Sequence, residues 1–326
     1  MEKKQTYAQA GVDIEKGDRF AEFIAKFPSK AIGKGLGGFA GGVELEWARF
    51  KRPVLLSCTD GVGTKLLVAQ KLGVFDTVGI DLVAMNVNDL AVCGCFPEVF
   101  LDYIAIGKIE DGLLQSLIKG VIAGCEEAEC VLAGGETAEM PDLYHGKDFD
   151  LAGFCVGLVE KDQMLPRPDR MASGDAVFGV ASSGVHSNGY SLARKCVPAE
   201  DTAAWRELLT PTRIYVKTMK KLVPLAGLQG AAHITGGGLY GNIERILPPH
   251  LQLRLDWNWK IPEIFSKIEK GGNVDREEMV RVFNMGIGLA LVVSAAQADA
   301  FQKAAQASGV DVVRIGALEA GALRRG

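Results

Sequence analysis

The segment from Asp60 to Lys65 combines residue types that bind a metal ion and a phosphate group. Asp60 follows an apolar run typical of a buried strand, and Gly61 and Gly63 let the backbone approach a ligand. Thr64 and Lys65 begin a predicted helix, where free backbone amides and a cation attract anions. A carboxylate at the position of Asp60 is a candidate magnesium ligand. The structural alternative is an ordinary Asp-Gly turn followed by a solvated lysine.

Two more acidic residues are candidate metal ligands. Asn86 and Asp89 lie three residues apart in an otherwise apolar predicted helix and share one face, and Asp81 precedes Asp89 by about two turns. Glu136 follows two glycines at the end of a predicted strand. Because a buried acid needs a partner or a metal, Asp89 and Glu136 join Asp60 as candidate ligands. The alternatives are a helix that exposes its polar face and a solvated glutamate in a glycine-rich turn.

A loop of small polar residues precedes a predicted helix in the second half of the chain. Its candidate ligand-binding residues are Ser183, Gly184, His186, Ser187 and Asn188. Hydroxyl groups and backbone amides of this kind bind an anion, and an imidazole transfers protons near neutral pH. His186 is therefore the candidate acid or base, and a purely structural histidine is the alternative.

Two glycine clusters are further candidate anion-binding loops. Gly236 and Gly237 follow the end of a predicted strand and precede a helix. Gly37 and Gly38 belong to the loop Gly33–Gly42, which fits the pattern G-x-G-x-x-G. This loop lacks the strand before it and the helix after it that a dinucleotide-binding fold requires. We expect it to fold over a phosphate group, and a plain flexible linker is the alternative.

The composition excludes several classes of protein. Forty of the 326 residues are glycine, about 12% against a usual value of about 7%, and they show no period, which excludes collagen. The formal net charge of −4 gives no indication of binding to nucleic acid or anionic lipid. No apolar run is long enough to cross a bilayer and no apolar signal segment begins the chain, so we predict a cytoplasmic protein. The seven cysteines are odd in number and form no C-x-x-C pair, so we expect reduced thiols.

The candidate residues must be positioned by two sets of mixed strands and helices, which predict an α/β or α+β fold. The stretch Leu165–Arg170 contains two prolines and three charged residues. We therefore predict one domain over residues 1–168 and a second over residues 169–326. In the second domain, the pattern predicts a helix over Thr212–Leu225 that is capped by Thr210.

The order of these motifs resembles that of the phosphoribosylformylglycinamidine cyclo-ligases, also called aminoimidazole ribonucleotide synthetases. The likeness begins at Tyr7 and runs nearly to the C-terminus. The matching segments are Asp60–Lys65, Asn88–Pro97, Gly134–Pro141, Ser183–Leu192, His233–Leu247 and Phe283–Gly288. Because many separated motifs match in order, the resemblance is specific. The departures from the family pattern are Cys95, Asp142, Glu244 and a looser first glycine loop.

The resemblance implies an enzyme of de novo purine synthesis with small-molecule substrates and no nucleic acid or membrane partner. It would use ATP and Mg²⁺ to close the imidazole ring of formylglycinamidine ribonucleotide, which gives 5-aminoimidazole ribonucleotide, ADP and phosphate. It also implies a two-domain fold of the aminoimidazole ribonucleotide synthetase type. The N-terminal domain would bind ATP and metal, and its sheet would pair into a barrel across a homodimer. The C-terminal domain would be an α/β sandwich that binds the substrate.

The resemblance also implies roles for the candidate residues. The catalytic residues would be His186, Lys65 and Asp89. The metal ligands would be Asp60, Asp89 and Glu136. The ATP or phosphate contacts would be Gly37, Gly38, Gly61, Gly63, Thr64, Lys65 and Asn86. The substrate contacts would be Ser183, Gly184, Ser187, Asn188, Gly236 and Gly237.

Two other kinds of function stay open at this point. A kinase or a selenophosphate synthetase of the same superfamily would share the fold. A selenophosphate synthetase would need a reactive cysteine in its N-terminal glycine loop, whereas the first cysteine here is Cys58. A metabolite-binding homologue without activity would have lost its carboxylates, whereas Asp60, Asp89 and Glu136 are all present.

Overall fold

A computed structural model describes residues 11–35 and 37–322. The beginning of the resemblance at Tyr7 and residue Leu36 of the glycine loop lie outside the described residues. The helices are α1 (Ile14–Ala25), α2 (Leu66–Leu72), α3 (Asp76–Val92), α4 (Asp111–Ala128), α5 (Tyr190–Cys196), α6 (Thr202–Leu208), α7 (Val216–Leu222), α8 (Gly238–Glu244), α9 (Glu263–Gly272), α10 (Arg276–Val282) and α11 (Ala298–Ala307). The strands are β1 (Pro53–Gly61), β2 (Phe96–Ile106), β3 (Val131–Glu139), β4 (Phe149–Glu160), β5 (Ala176–Ala181), β6 (Leu228–His233), β7 (Leu251–Leu255), β8 (Ile287–Val293) and β9 (Val313–Ala320).

The N-terminal half is built on a mixed sheet with the strand order β1-β4-β2-β3. Strand β4 is antiparallel to both β1 and β2, and β2 is parallel to β3. Ile32 extends the β3 edge through a parallel bridge to Leu132. One face of the sheet packs against α3 and α4, and the other face exposes Leu55 and Phe154. Side chains along each strand therefore alternate between a buried face and an open face.

Helices α3 and α4 pack closely because glycines line their contact. A Cβ atom added at Gly120 would overlap the carbonyl oxygen of Asp76, and one at Gly79 would overlap the carbonyl oxygen of Leu117. Twelve of the 17 residues of α3 are buried, and these include the polar residues Asp81, Asn86 and Asn88. This helix lies between the first sheet and the C-terminal half, since it also contacts β6 and α7. Its few polar residues are therefore placed at the junction of the two halves.

The C-terminal half is built on an antiparallel sheet with the strand order β6-β8-β5-β9-β7. Strand β8 is buried along its whole length, as its continuous apolar run suggests. Both halves thus combine sheets with helices, and the predicted mixed α/β class is confirmed. The first sheet ends at Glu160 and the second begins at Ala176, while the boundary between residues 168 and 169 stays a prediction. Among the described residues, no helix is both long enough and apolar enough to cross a membrane.

The helix predicted over Thr212–Leu225 was placed too early. Helix α7 begins only at Val216, and residues 211–215 before it form no regular structure. The amide of Thr212 donates to Oδ1 of Asp81 at 2.7 Å, and the amide of Tyr215 donates to Oδ1 of Asn88 at 2.7 Å. Because side chains of α3 bind these amides, the backbone forms an irregular segment rather than the first turn of a helix.

Candidate functional site

The two predicted ligand-binding loops meet where the halves of the molecule join. Thr64, in the turn after β1, lies with its Oγ1 atom 3.1 Å from Oγ of Ser191 in α5. The neighbouring Lys65 donates from Nζ to the carbonyl oxygens of His186 at 3.1 Å and Thr210 at 2.6 Å. The loop after β1 and the loop before α5 therefore contact each other at the junction of the two halves, and the surface around them is called the cleft below.

Lys65 is fully buried, and its placement differs from the predicted phosphate contact. Its Nζ atom lies 2.9 Å from both carboxylate oxygens of Asp81, and only Oδ1 has the geometry of a hydrogen bond. Burial lowers the pKa of Lys65, and the Asp81 carboxylate opposes that shift. Since the ammonium group is enclosed and its donors are used, we correct its role from phosphate binding to joining the two halves.

Asp81 is a residue of this junction whose role the sequence did not reveal. Besides Lys65, its Oδ1 atom accepts hydrogen bonds from Oγ of Ser187 at 3.0 Å and from the amide and hydroxyl of Thr212 at 2.7 and 2.6 Å. The ion pair belongs to the N-terminal half, whereas these other donors belong to the C-terminal half. Asp81 thus fixes the loop before α5 and the segment before α7 against α3.

Asp60 and Asp89 are the two predicted metal ligands that the structure brings together. Burial raises the pKa of Asp60, the amide of Gly61 lowers it, and the negative charge of Asp89 raises it again. The side chain of Asp89 is 46% exposed, and its Oδ1 atom lies 2.9 Å from Nδ1 of His233. Two neighbouring carboxylates, one of them open to the cleft, are a suitable place for a divalent cation.

Glu136 does not lie near these carboxylates. Asp60 is aligned across the sheet with Gly153, Asp102 and Gly135, whereas Glu136 belongs to the next row. Adjacent rows point to opposite faces, and three strand spacings separate β1 from β3 by about 14 Å. No group of three His, Cys, Asp or Glu residues in the described part of the chain is placed to hold a metal ion. The prediction that Glu136 supports the same metal site is therefore corrected.

Asn86 supports the end of β1 instead of facing the cleft. It is fully buried, and its Nδ2 atom donates to the carbonyl oxygens of Asp60 at 3.2 Å and Leu82 at 2.9 Å. Gly61 and Gly63 follow in the turn, and Gly63 has a positive φ of 70° with open space around it. The turn can therefore approach a ligand, whereas a direct phosphate contact by Asn86 does not fit its burial.

His186 is too deeply buried to act as the predicted acid or base. Only 1% of the residue is exposed, and its Nε2 atom accepts a hydrogen bond from the amide of Ser183 at 3.1 Å. Burial lowers the pKa of His186 far below its usual range, so the ring is neutral. Its φ of 65° is left-handed, which shapes a tight turn. We correct the role of His186 from proton transfer to holding the loop before α5 in this conformation.

The other members of the loop before α5 are divided between the protein interior and the cleft. Ser187 is buried on Asp81, as described above, whereas Ser183 is exposed and its hydroxyl donates to the carbonyl oxygen of Pro211 at 2.6 Å. Asn284 donates from Nδ2 to the carbonyl oxygen of Gly184 at 2.9 Å. Asn188 lies with its Oδ1 atom 3.3 Å from the position of a Cβ on Gly236. The loop is thus held by hydrogen bonds on its buried side.

The second glycine cluster is held by Asn242. Its Nδ2 atom donates to the carbonyl oxygens of Gly236 at 3.2 Å and Gly238 at 2.8 Å. Gly237 has a positive φ of 97° immediately before α8. Asn188 brings this cluster next to the loop before α5, so the two predicted substrate loops are neighbours.

The first glycine loop lies along the opposite edge of the first sheet. The amide of Gly33 donates to the carbonyl oxygen of Leu132 at 2.9 Å, and a Cβ atom at Gly41 would overlap the carbonyl oxygen of Ala133. Gly37 has a positive φ of 98°, and Gly38 donates weakly to the carbonyl oxygen of Gly35 at 3.3 Å. The loop is anchored to β3, about three strand spacings from Asp60.

The departures from the family pattern occupy well-defined places. Cys95 is buried in the core, and all seven cysteines are free thiols, as expected. Asp142 has a left-handed φ of 69°, which explains why glycine is usual at this position. Glu244 is the last residue of α8. None of these departures replaces Asp60 or Asp89, the two carboxylates of the cleft.

Comparison with known proteins shows similarity to one family over both halves. Residues 48–159 match the family model described as "AIR synthase related protein, N-terminal domain", and residues 172–324 match "AIR synthase related protein, C-terminal domain". A phosphoribosylformylglycinamidine cyclo-ligase of Carboxydothermus hydrogenoformans is 47% identical and covers 98% of this chain and 97% of its own length. One of Clostridium perfringens is 48% identical and covers 97% of both chains.

Solved structures show the same fold at low sequence identity. HypE of Escherichia coli has a TM-score of 0.70 at 13% identity and covers 94% of this chain and 92% of its own. Thiamine-monophosphate kinase from Stenotrophomonas maltophilia has a TM-score of 0.64 at 18% identity and covers 94% and 93%. A hydrogenase maturation protein HypE in complex with ATP has a TM-score of 0.68 at 16% identity and covers 93% and 86%. Since the cyclo-ligases are similar over nearly their whole length, the chain belongs to the phosphoribosylformylglycinamidine cyclo-ligase family.

Proposed function

We propose that this chain closes the imidazole ring of formylglycinamidine ribonucleotide at the expense of ATP, giving 5-aminoimidazole ribonucleotide, ADP and phosphate. The observation that carries the proposal is 47–48% identity, over nearly the full length, to relatives with the name of this activity. Similarity of fold to a HypE in complex with ATP supports ATP as the phosphoryl donor. The N-terminal half contributes carboxylates to the cleft, and the C-terminal half contributes amides and hydroxyls. These two kinds of group suit two phosphorylated substrates.

The reaction needs a leaving group at the formamide carbon. The formamide oxygen attacks the γ-phosphorus of ATP, the bond to the bridging oxygen breaks, and ADP leaves. The amidine nitrogen then attacks the activated carbon, the C–O bond breaks, and phosphate leaves with the electron pair. The ring nitrogen loses one proton to complete the imidazole. Both steps require the reacting groups to be held in line and water to be excluded.

Asp60 and Asp89 fit a magnesium ion that also binds nucleotide phosphates. Mg²⁺ is usually held by one or two carboxylates, with phosphates and water completing its shell. Burial raises the pKa of Asp60 most and the charge of Asp89 adds to that rise, and a bound cation would relieve the repulsion between the two carboxylates. When bound, the ion supplies charge neutralisation at the transferring phosphoryl group. His233 holds the Asp89 carboxylate in place through the 2.9 Å contact at Nδ1.

The two halves have separate tasks in this proposal. The turn after β1, with Gly61, Gly63 and Thr64, approaches the ATP phosphates, and the loop Gly33–Gly42 closes over the nucleotide. Ser183, Asn188 and the Gly236–Gly238 cluster contact the ribonucleotide. Lys65 and Asp81 hold the halves at a fixed distance, which sets the spacing between the two substrates.

A homodimer is part of the proposal, and the open face of the first sheet supports it. Leu55, Leu101, Tyr103 and Phe154 expose between 36% and 58% of their surface on that face. Leu101 on β2 is aligned with Phe154 on β4, so the side chains form one apolar patch. Contiguous exposed apolar surface of this kind marks an interface. Pairing of two such sheets would give the barrel that the family resemblance implies.

An assay of the purified protein tests the proposal. The protein is incubated with ATP, Mg²⁺ and formylglycinamidine ribonucleotide, and 5-aminoimidazole ribonucleotide and ADP are measured by chromatography. We expect equal amounts of both products, and neither product when either substrate is left out. Bound ATP without ring closure would instead favour a metabolite-binding homologue, and ADP release with another phosphoryl acceptor would favour a kinase.

A further inference from the structure

Arg213 lies in the irregular segment before α7, whose backbone is fixed by hydrogen bonds to α3. Its carbonyl oxygen accepts a hydrogen bond from Nδ2 of Asn88 at 2.9 Å. The amides of Thr212 and Tyr215 are bound by Asp81 and Asn88 on α3. Because of these bonds, the segment does not form the first turn of α7. The position of the Arg213 side chain is therefore set by the junction between the two halves.

The guanidinium group of Arg213 lies beside the start of the loop before α5. Its Nη1 atom donates to the carbonyl oxygen of Ala181 at 3.3 Å, and its Cζ atom lies 5.6 Å from the ring centre of Tyr215. The hydroxyl of Tyr215 donates to the same carbonyl oxygen at 2.8 Å. A guanidinium carries five N–H donors, and this one uses one of them on a single carbonyl. The aromatic ring beneath it gives the cation a rigid platform.

No acidic residue neutralises this cation within residues 11–35 and 37–322. Arg213 is exposed and makes no ion pair there, whereas Lys217 and Lys220 on α7 pair with Glu129. Burial lowers the pKa of His186 most, and the nearby charges of Lys65 and Arg213 lower it further. Because Lys65 is enclosed with Asp81, Arg213 is the one of these two cations that a ligand can reach from the surface.

We propose that Arg213 binds the phosphate monoester of the ribonucleotide substrate. This inference rests on the proposed function and assigns the residue that recognises one of its two substrates. A fixed, planar guanidinium suits a phosphate because two parallel N–H donors match two phosphate oxygens. The exposed Ser183 offers a hydroxyl close to this segment, since its Oγ atom donates to the carbonyl oxygen of Pro211, two residues before Arg213. The carboxylates Asp60 and Asp89 belong to the N-terminal half, where they favour the metal-bound nucleotide.

The decisive experiment compares the ribonucleotide with the same substrate lacking its 5′-phosphate. The variants are Arg213→Met, which removes the charge, and Arg213→Lys, which keeps the charge but loses the paired donors. Lys303→Met is the charge-matched control because this lysine is exposed and lies on α11, a helix that contributes none of the candidate site residues. We expect Arg213→Met to raise KM for the ribonucleotide about 10- to 100-fold, the loss typical of a charged hydrogen bond. We expect KM for ATP to change less than about twofold, as judged on the same energy scale.

The dephosphorylated substrate separates phosphate recognition from a general defect. The wild-type enzyme should prefer the ribonucleotide in kcat/KM, and Arg213→Met should lose most of that preference, with Arg213→Lys in between. An unchanged preference in Arg213→Met would overturn the assignment. Because the backbone of Arg213, and not its side chain, makes the bonds to α3, both variants should unfold at the wild-type temperature.

Inorganic phosphate gives a second readout that does not need turnover. Phosphate should raise the melting temperature of the wild-type protein and of Lys303→Met, and should do so less for Arg213→Met. If the wild-type protein makes no 5-aminoimidazole ribonucleotide but this difference persists, the proposed function fails and the anion site stands. If the protein is active and phosphate protects Arg213→Met as well as the wild type, the anion site fails.

Discussion

Oδ1 of Asp89 lies 2.9 Å from Nδ1 of His233, and this contact joins α3 to the end of β6. The two side chains are unequally enclosed, since 2% of the His233 side chain and 46% of the Asp89 side chain are exposed. The carboxylate is therefore held from one side and open to the cleft on the other. The Asp89 carboxylate can therefore bind a metal ion on its open side while it keeps its contact with His233.

Asp89→Asn should nearly abolish turnover while leaving the fold intact. Asparagine keeps the shape and an oxygen for His233 but removes the charge that attracts a cation. We expect kcat/KM to fall about 100-fold or more, at or beyond the range seen for residues that support a metal. Steady-state kinetics measures the loss, and thermal unfolding checks the fold. Asp162→Asn, which changes an exposed acid of the same half, is the control, and full activity of Asp89→Asn would remove Asp89 from the metal site.

Phe154→Lys should convert a dimer into monomers. Phe154 and Leu101 are aligned on neighbouring strands of the open face, so a lysine there puts a charge into the centre of the proposed interface. Sedimentation velocity should show the wild-type chain at twice the mass of the variant. Leu143→Lys alters an even more exposed apolar residue outside the sheet and should stay dimeric. A dimer that survives Phe154→Lys would place the interface elsewhere.

Gly41→Ala should weaken ATP binding through the first glycine loop. The added methyl group would overlap the carbonyl oxygen of Ala133 and push the loop away from β3. Gly42→Ala is the matched control because nothing lies within 4 Å of a Cβ atom at that position. We expect Gly41→Ala to raise KM for ATP several-fold while KM for the ribonucleotide and the melting temperature stay near wild type. Equal effects of the two substitutions would mean that the loop does not close over the nucleotide.

Asp81→Asn should destabilise the protein strongly because it leaves the charge of Lys65 buried without a partner. Removing one member of a buried ion pair costs about 3–5 kcal/mol. The double variant Lys65→Met/Asp81→Asn removes that charge, keeps an acceptor for the amide of Thr212, and should recover part of the loss. Urea unfolding of the wild type, the two single variants and the double variant gives the coupling energy. Additive effects would show that Lys65 and Asp81 do not stabilise each other.

The sequence predicted the main elements because their patterns are local. The apolar run of β8 and the amphipathic pattern of α4 can each be recognised within one stretch of the chain. The start of α7 was wrong because its deciding contacts come from Asp81 and Asn88, more than 120 residues away. A periodic pattern carries no information about such partners.

The candidate site was predicted by residue type more reliably than by role. Asp60 and Asp89 were placed on two elements that do meet, whereas Glu136 was included without knowledge of the strand register. A shift of one residue along a strand reverses the face, so an acid at a strand end can lie on either side. Lys65 and His186 were predicted to be accessible, but burial is a property of the assembled halves. Arg213 had no local signal, since its exposure depends on what surrounds it.

Asp102→Asn should stabilise the protein more at pH 8 than at pH 5. Asp102 is buried beneath the first sheet, and burial raises its pKa from 3.8 to about 7. Between these two values the folded state keeps a proton that the unfolded state has lost, so wild-type stability falls as the pH rises toward 7. The asparagine variant lacks this dependence on pH, so its advantage should grow by at most about 3 kcal/mol between pH 5 and pH 8, at about 1.4 kcal/mol for each pH unit up to 7. Urea unfolding from pH 5 to pH 8 measures this difference, and a constant difference across that range would show that Asp102 is already ionised in the folded protein at pH 5.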